Sequence, residues 1–436
     1  MCTNAAWCFG MLACHACQDC MNASFKQQVR LAYFVFDAIF VALGLVILYG
    51  LSGLLVKLDW IKWVLDNYLN CGGDGIASCL GISSVYRLSL ALVVLHALIL
   101  LMLLLRNGCS RVFNEEVWMF KVLLIVVVFA GSFFINNESF KTYSNIAMIF
   151  SFFFLLFQIV MIIDLFYSWG VNWVKYYDEG RNIWMCMLIG TTLVLYAGSI
   201  YFMIRSFSSF AGCGVGTSTT VVNVIFMIVA IALVLLRFNP DGSLLTSAAV
   251  SLITSYLTWS GLSNQDLACN ASLTASSTTI INLVVGLIFI ITSLIYVSIG
   301  SSEDNSGNVA PAGVNIPQAV LAEQKNEDDA KRERLHDEEA AGLQNQKGKE
   351  ELKDLSLKQY QSNSFIYFHI ILLFASCYIA MLLTNWGAPV IDGSKYFDFQ
   401  EGSRSMWIKL ATAWVTMGLY VWTIIAPAIC PDRDFS

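Results

Sequence analysis

The chain reads as long apolar runs separated by short polar ones. Ten runs stand out, at about 33–56, 86–106, 117–135, 145–167, 182–204, 219–237, 243–261, 278–299, 364–385 and 404–429. Each approaches the roughly 20 apolar residues that a helix needs to cross a ~30 Å hydrocarbon layer. Most lack strict two-residue alternation, which argues against a β-barrel. The pattern predicts an all-α, polytopic membrane protein with ten transmembrane helices. It divides the chain into a Cys-rich segment at 1–32, spans one to eight at 33–299, a charged loop at 300–363, spans nine and ten at 364–429, and a tail at 430–436. The first residues lack the charged leader, short apolar core and small-residue site of a cleavable signal peptide. The first span is therefore expected to direct insertion.

Composition agrees with this reading. Of 436 residues, 57% are hydrophobic and 13% charged, whereas a soluble domain carries about 25% charged residues. The net charge of −6 is local: residues 300–363 hold thirteen Asp or Glu against eight Lys or Arg. No basic stripe points to nucleic acid. The loop opens SSEDNSGNVAPAGVNIP, the composition of a flexible linker. Further on, Glu327 and Lys331, and Asp328 and Arg332, have the i,i+4 spacing of a solvated helix. Two readings are open for it. One is a disordered cytoplasmic loop; the other is a docking or regulatory segment.

Ten spans put both termini on one side. Lys and Arg favour a cytoplasmic N-terminus only through the long loop. That orientation places Cys71, Cys79, Cys213 and Cys269 in outer loops, where disulfides form. Cys71 with Cys79, and Cys213 with Cys269, are the candidate pairs; spacing alone leaves connectivity open. The sequons at Asn137 and Asn270 then lie outside as glycosylation candidates, and the one at Asn22 lies inside. CHACQDC, at 14–20, has metal-ligand spacing, but reduced thiols beside a membrane are the simpler reading, so no metal is expected. HExxH, GxSxG and P-loop motifs are missing, and the four histidines are scattered. An enzyme is thus the least expected class, and no catalytic residue is assigned. His96, mid-span, is expected to hydrogen-bond to a neighbouring helix.

Polar residues inside the spans carry the remaining chemistry. An ionised aspartate at the bilayer centre costs roughly 2.5–3.5 kcal/mol even on a lenient scale. Gln158 and Asp164 interrupt the apolar run FQIVMIIDLFYSW at 157–169. Counted from Ile146, Asp164 lies about 27 Å along an upright helix, near its inner edge. In a helix continuing to Val174 it sits deeper and needs a partner. Lys121 and Asp37 fall in the same inner half of their own spans. Three readings of this set are open: a structural ion pair, a hydrophilic floor for lipid headgroups, or a proton relay. In the seventh span, Ser247, Ser251, Thr254 and Thr258 share one helical face. Such hydroxyls serve close helix packing or line a wet seam for headgroups. Asn223 and Asn282 add amides nearby in the chain.

Several stretches resemble the serine incorporator family of ten-span eukaryotic membrane proteins. They are SSVYRLSL at 83–90, FQIVMIIDLFYSWGVNWV at 157–174, SLLTSAAVSLITSYLTWSGLSNQDLACN at 243–270, TNWGAP at 384–389 and MWIKLATAWVTMGLYVWTIIAP at 406–427. The resemblance runs in order along nearly the whole chain. Asp37 matches none of its motifs. It implies two helical subdomains joined by a long diagonal fourth helix, lipid-accessible grooves, homo-oligomers, and residence in plasma or internal membranes. It also implies passive, ATP-independent phospholipid scrambling, support of serine-derived phosphatidylserine and sphingolipid synthesis, or both. Bound phospholipid is then expected and no cofactor, with Asp164, Lys121, Gln158, Ser251 and Thr258 as the candidate headgroup path. The alternative is a structural or scaffold subunit of a larger membrane complex without transport; residues 319–355 are the expected contact for lipid-synthesis enzymes or such a complex.

Overall fold

A helix in hydrocarbon starts where polar residues can cap it and ends where they release it. The NNES sequence before the fourth span shows this. Asn136 accepts a hydrogen bond from the Glu138 N–H, and Glu138 places its charge in the first turn. At the far end Gly180, with φ +91°, releases the chain. The computed structural model describes residues 25–71, 76–105, 108–210, 212–238, 242–264, 276–300, 363–391, 397–400 and 403–429. The N-terminal cysteines, most of the 300–363 loop, Cys269 and Asn270 lie outside them.

Ten long helices match the ten apolar runs. They are α1 (Phe25–Val46), α2 (Ile76–Leu104), α3 (Trp118–Ser132), α4 (Asn137–Asp178), α5 (Ile183–Phe210), α6 (Gly214–Leu235), α7 (Leu244–Leu262), α8 (Ser276–Gly300), α9 (Asn363–Leu383) and α10 (Ser403–Ile429). Among the described residues, eight helical segments are long and apolar enough to cross a membrane. The two helices that miss this standard do so for different reasons. α3 has only 15 residues. α7 has 19, but its many hydroxyls lower its hydropathy. A two-stranded hairpin, β1 (Ala388–Ile391) with β2 (Phe397–Gln400), is antiparallel with Ala388 opposite Gln400. It is a small exception to an otherwise helical molecule.

Two boundaries differ from expectation. The outer loop expected over 57–85 is largely helical: Asp59–Val64 forms a short helix, Leu65–Leu69 a π-turn, and α2 already begins at Ile76. Apolar positions spaced by three and four residues explain this. Ile61, Val64, Leu65 and Leu69 pack with Cys71, Cys79 and Leu80 into one buried cluster. α4 runs unbroken for 42 residues, about 63 Å, well past the expected run.

The chain forms two compact units. The first holds Met1–Gly44, Arg87–Ser132 and Leu294–Ser376; the second holds Leu45–Tyr86, Phe133–Ser293 and Cys377–Ser436. α4 lies as a whole in the second. In the first unit, Tyr33 is fully buried and meets the rings of Trp118 and His369, each with centroids 4.8 Å away. In the second, α7 packs against α4, α5, α6 and α10. All its residues except Leu244 and Leu252 are buried. α5 is the reverse case: its buried residues are Ser199, Phe202, Met203, Ser206 and Phe210. Ile183, Leu193, Val194 and Ile204 face outward, a surface that only lipid tails suit.

The turn between α5 and α6 depends on Gly216. A Cβ there would meet the Phe210 carbonyl oxygen at 2.6 Å, a backbone atom that cannot rotate away. Gly190, in α5, has open space within 4 Å. Gly216→Ala should therefore lower stability by about 1–3 kcal/mol, while Gly190→Ala is neutral or slightly stabilising. Thermal unfolding of both variants in lipid nanodiscs checks the contrast.

Candidate functional site

In the second unit several hydroxyls on and just after α7 meet side chains of neighbouring helices. Tyr196 of α5 donates to Ser247 Oγ at 3.1 Å. One turn on, Ser199 of α5 shares a hydrogen bond with Ser255 Oγ at 2.9 Å and reaches the Ser251 carbonyl at 3.1 Å. Asn223 of α6 donates its Nδ2 to Thr258 Oγ1. Asn282 of α8 donates to Ser263 Oγ at 3.2 Å. Polar groups thus follow α7 from Ser247 to Asn264, about 26 Å at 1.5 Å per residue. That length is close to the thickness of a hydrocarbon layer. Not every oxygen on this seam is satisfied. Ser251 Oγ, Asn223 Oδ1 and Asn282 Oδ1 are buried with no hydrogen-bond partner in the protein. Leaving such a group unpaired costs roughly 1–3 kcal/mol.

A buried cation marks one end of the seam. Lys409 of α10 is 4% exposed and donates to Ser260 O, Ser260 Oγ and Asn264 Oδ1 at 3.2, 2.9 and 2.9 Å. Its Nζ lies 5.3 Å from the Trp386 ring centroid, close enough for a cation–π attraction. The TNWG corner after α9 presents that ring. Asn385 and Trp386 both have positive φ, 49° and 63°, a strained choice for residues with side chains. The Trp386 N–H closes the corner on the Met381 carbonyl at 2.7 Å. The strain places the Asn385 carbonyl where Asn264 Nδ2 reaches it at 3.3 Å. Tyr256, Ser260, Asn282, Asn385, Trp386 and Lys409 are among the residues lining a small cavity of about 10 Å³, roughly one water.

The first unit holds a second polar cluster. His96 Nε2 lies 3.1 Å from Asp37 Oδ2, and His96 Nδ1 lies 3.3 Å from His369 Nδ1. His369 Nε2 lies 2.9 Å from Asn114 Oδ1. Lys121 is fully buried and donates to the Asn114 carbonyl at 2.8 Å, with its Nζ 4.0 Å from the Trp118 ring centroid. His96 thus bonds to neighbouring helices, as expected.

The candidate path residues do not form one group. Ser251 and Thr258 lie on the α7 seam. Gln158, on α4, donates to Ser293 of α8 at 3.2 Å. Asp164 is half-buried on α4, and the helix runs on past Val174. Lys121 and Asp37 belong to the first unit, Asp164 to the second. Cys71 and Cys79 form a disulfide. Cys213 is disulfide-bonded as well; its expected partner Cys269 is outside the described residues. Asn137 is buried, and its Nδ2 donates to the Leu69 carbonyl at 2.7 Å. A glycan needs that nitrogen in solvent, so the expectation at Asn137 does not fit its burial. No cluster of three or more metal-ligating side chains occurs among the described residues. Lys409 and His369 did not stand out from sequence as site residues. The signal for Lys409 was a lone cation within the apolar run MWIKLATAW.

Residues 6–433 match the family described as Serine incorporator (Serinc). The chain belongs to the serine incorporator family. A probable serine incorporator of Nematostella vectensis is 29% identical, over 98% of this chain and 94% of its own length. Serine incorporator 3 of Bos taurus is 28% identical, over 98% and 96%. Serine incorporator 2 of Homo sapiens is 26% identical, over 98% and 96%. These relatives are named as incorporators rather than enzymes. Membership and the long apolar helices together make the chain a multi-pass membrane protein.

For this serine incorporator family member, the seam makes a quantitative prediction. Asn223→Ala and Thr258→Val, alone and combined, should give a coupling energy of about 0.6–1.7 kcal/mol. Unfolding equilibria in detergent micelles measure it. A coupling of zero would mean the α6–α7 hydrogen bond carries no stability.

Proposed function

We propose that the protein moves phospholipid headgroups passively between leaflets along the α7 seam. The observation that supports this reading most is the length of the seam. A polar track of about 26 Å, with unpartnered oxygens along it and an ammonium near one end, matches what a headgroup meets when it crosses. Hydroxyls and amides replace part of the headgroup's hydration, the ammonium attracts its phosphate, and the acyl tails stay in lipid. No energy source is needed, because the lipid runs down its own gradient.

At rest the seam is covered, so a cover must lift. We assign that part to α5, which makes the broadest contact with α7 of the helices around it, a contact that must open for the seam to be reached. It is anchored to α7 by Tyr196, Ser199 and one apolar stripe, while the rest of it faces outward. Its removal from α7 bares Ser247, Ser251 and Ser255 to lipid while α7 stays held by α4, α6 and α10. The cavity beside Lys409, with room for about one water, is too small for a free serine. That favours a headgroup gliding past over a serine stored there. Support of phosphatidylserine and sphingolipid synthesis follows as a consequence: equilibrated leaflets keep substrate lipid within reach of the enzymes that use it.

A reversible lock tests this. Ser199→Cys with Ser255→Cys replaces two oxygens that lie 2.9 Å apart, so oxidation should bond α5 to α7. In vesicles carrying a fluorescent phospholipid, the oxidised variant should equilibrate lipid no faster than empty vesicles. Mild reduction should restore the rate of the single Ser199→Cys variant. Fast equilibration with the bond fully formed would rule out α5 as the cover.

A further inference from the structure

The chain Asp37–His96–His369–Asn114 has more contacts than its neutral rings have hydrogens. Each contact needs one hydrogen between its two heavy atoms. Asn114 Oδ1 is an acceptor, so His369 Nε2 carries the first. The facing Nδ1 atoms of His96 and His369 need a second. His96 Nε2 against the Asp37 carboxyl oxygens, at 3.1 and 3.3 Å, needs a third. Two neutral imidazoles beside an ionised aspartate supply only two. Without a third hydrogen, two lone pairs must face each other in a site shielded from water. His96 and His369 are fully buried and Asp37 is 6% exposed.

We propose that Asp37, His96 and His369 form a proton-binding site that holds one proton beyond this set. The proton comes from water and resides between Asp37 Oδ2 and His96 Nε2, as a carboxyl O–H or as an imidazolium N–H. Either placement gives every contact in the line a hydrogen and leaves the three side chains neutral among themselves. The line of ring nitrogens provides a relay: a hydrogen accepted at one face of a ring is released at the other. Asn114, on the short helix Gly108–Glu115, terminates the line.

The surrounding charges bear on this site. Arg30, on α1, lies over the rings of Phe365 and Phe368 of α9, 5.4 and 5.7 Å from their centroids. Lys121 of α3 lies over Tyr33 and Trp118. Both cations act on His369 through space, and Glu115 acts on Lys121. Tyr33 donates to the Asn114 carbonyl. Two cations and one acidic group therefore surround the triad with one net positive charge, which opposes the extra proton; the contact of the line that needs a third hydrogen is what holds it. Proton loss breaks one contact of the line and loosens α1, α2 or α9. The hold among these helices is thereby linked to pH.

The chain has four histidines, so direct counting is feasible. His15→Gln and His336→Gln leave only His96 and His369, whose ring nitrogens can be labelled with 15N. Asp carboxyls can be labelled with 13C in the same protein, reconstituted in lipid. Asp37→Asn identifies the Asp37 signal. At neutral pH the site should show either three hydrogen-bearing ring nitrogens out of four, or two of them together with a protonated Asp37 carboxyl. Raising the pH should remove one hydrogen from the set. In Asp37→Asn the ring nitrogens should stay two and two across the range. Two bare ring nitrogens alongside an ionised Asp37 at neutral pH would overturn the proposal. If Asp37→Asn does not fold, the through-space contact of the Asp37 carboxyl carbon with the His96 ring nitrogen, 13C to 15N, identifies that signal in the unsubstituted Asp37 protein.

Discussion

A hydrogen-bonding group inside a bilayer must find its partner in the protein, because the tails offer none. That constraint governs α7. The helix carries too many hydroxyls to be stable facing lipid, so it is surrounded. α5, α6, α8 and α10 each bring a side chain that pairs with it. The more apolar helices can then turn their outer faces to lipid, as α5 does with Ile183, Leu193, Val194 and Ile204. A hydroxyl-rich helix is thus the organising element of its unit. The same rule applies in the first unit on a smaller scale, where a fully buried Lys121 is held by a backbone carbonyl and two aromatic rings.

Close packing and headgroup passage therefore need not be rival readings of the seventh span. The groups that hold the neighbouring helices at rest are the groups a headgroup would use once a helix withdraws. Each hydrogen bond to α7 is modest in membrane proteins, about 0.6 kcal/mol on average. A peripheral helix tied by two or three of them is stable yet can be displaced. The unpartnered oxygens at Ser251, Asn223 and Asn282 lower the difference further, because the covered state does not satisfy the whole seam.

Much of the architecture was legible in the sequence. Run length and apolarity located ten helices, and the motif stretches carried the family. The Cys71–Cys79 bond followed from two cysteines close in the chain within one outer segment. Other features were not legible, for physical reasons. Hydropathy marks where a helix is, not where it stops, so the early start of α2 was missed and the length of α4 came from the family resemblance rather than from the apolar run. A polar residue in an apolar run announces that it has a partner but not which one. Asp37, His96 and His369 lie far apart in the chain, and only folding shows that they share one line. The corner at Asn385 and Trp386 was invisible because left-handed backbone at Trp has no sequence signal. The regular spacing of Ser247, Ser251 and Thr258 suggested one face, whereas burial on every side of α7 is a tertiary fact.

The central claim is that the α7 seam meets lipid headgroups during function. Phospholipids carrying a photoreactive group near the phosphate, reconstituted with the unmodified protein, test this most directly. After illumination, mass spectrometry locates the labelled residues. The account predicts adducts on Ser247, Ser251 and Ser255, positions that are buried at rest. Adducts confined to surfaces already exposed, such as the outer faces of α5 and α6, would contradict it.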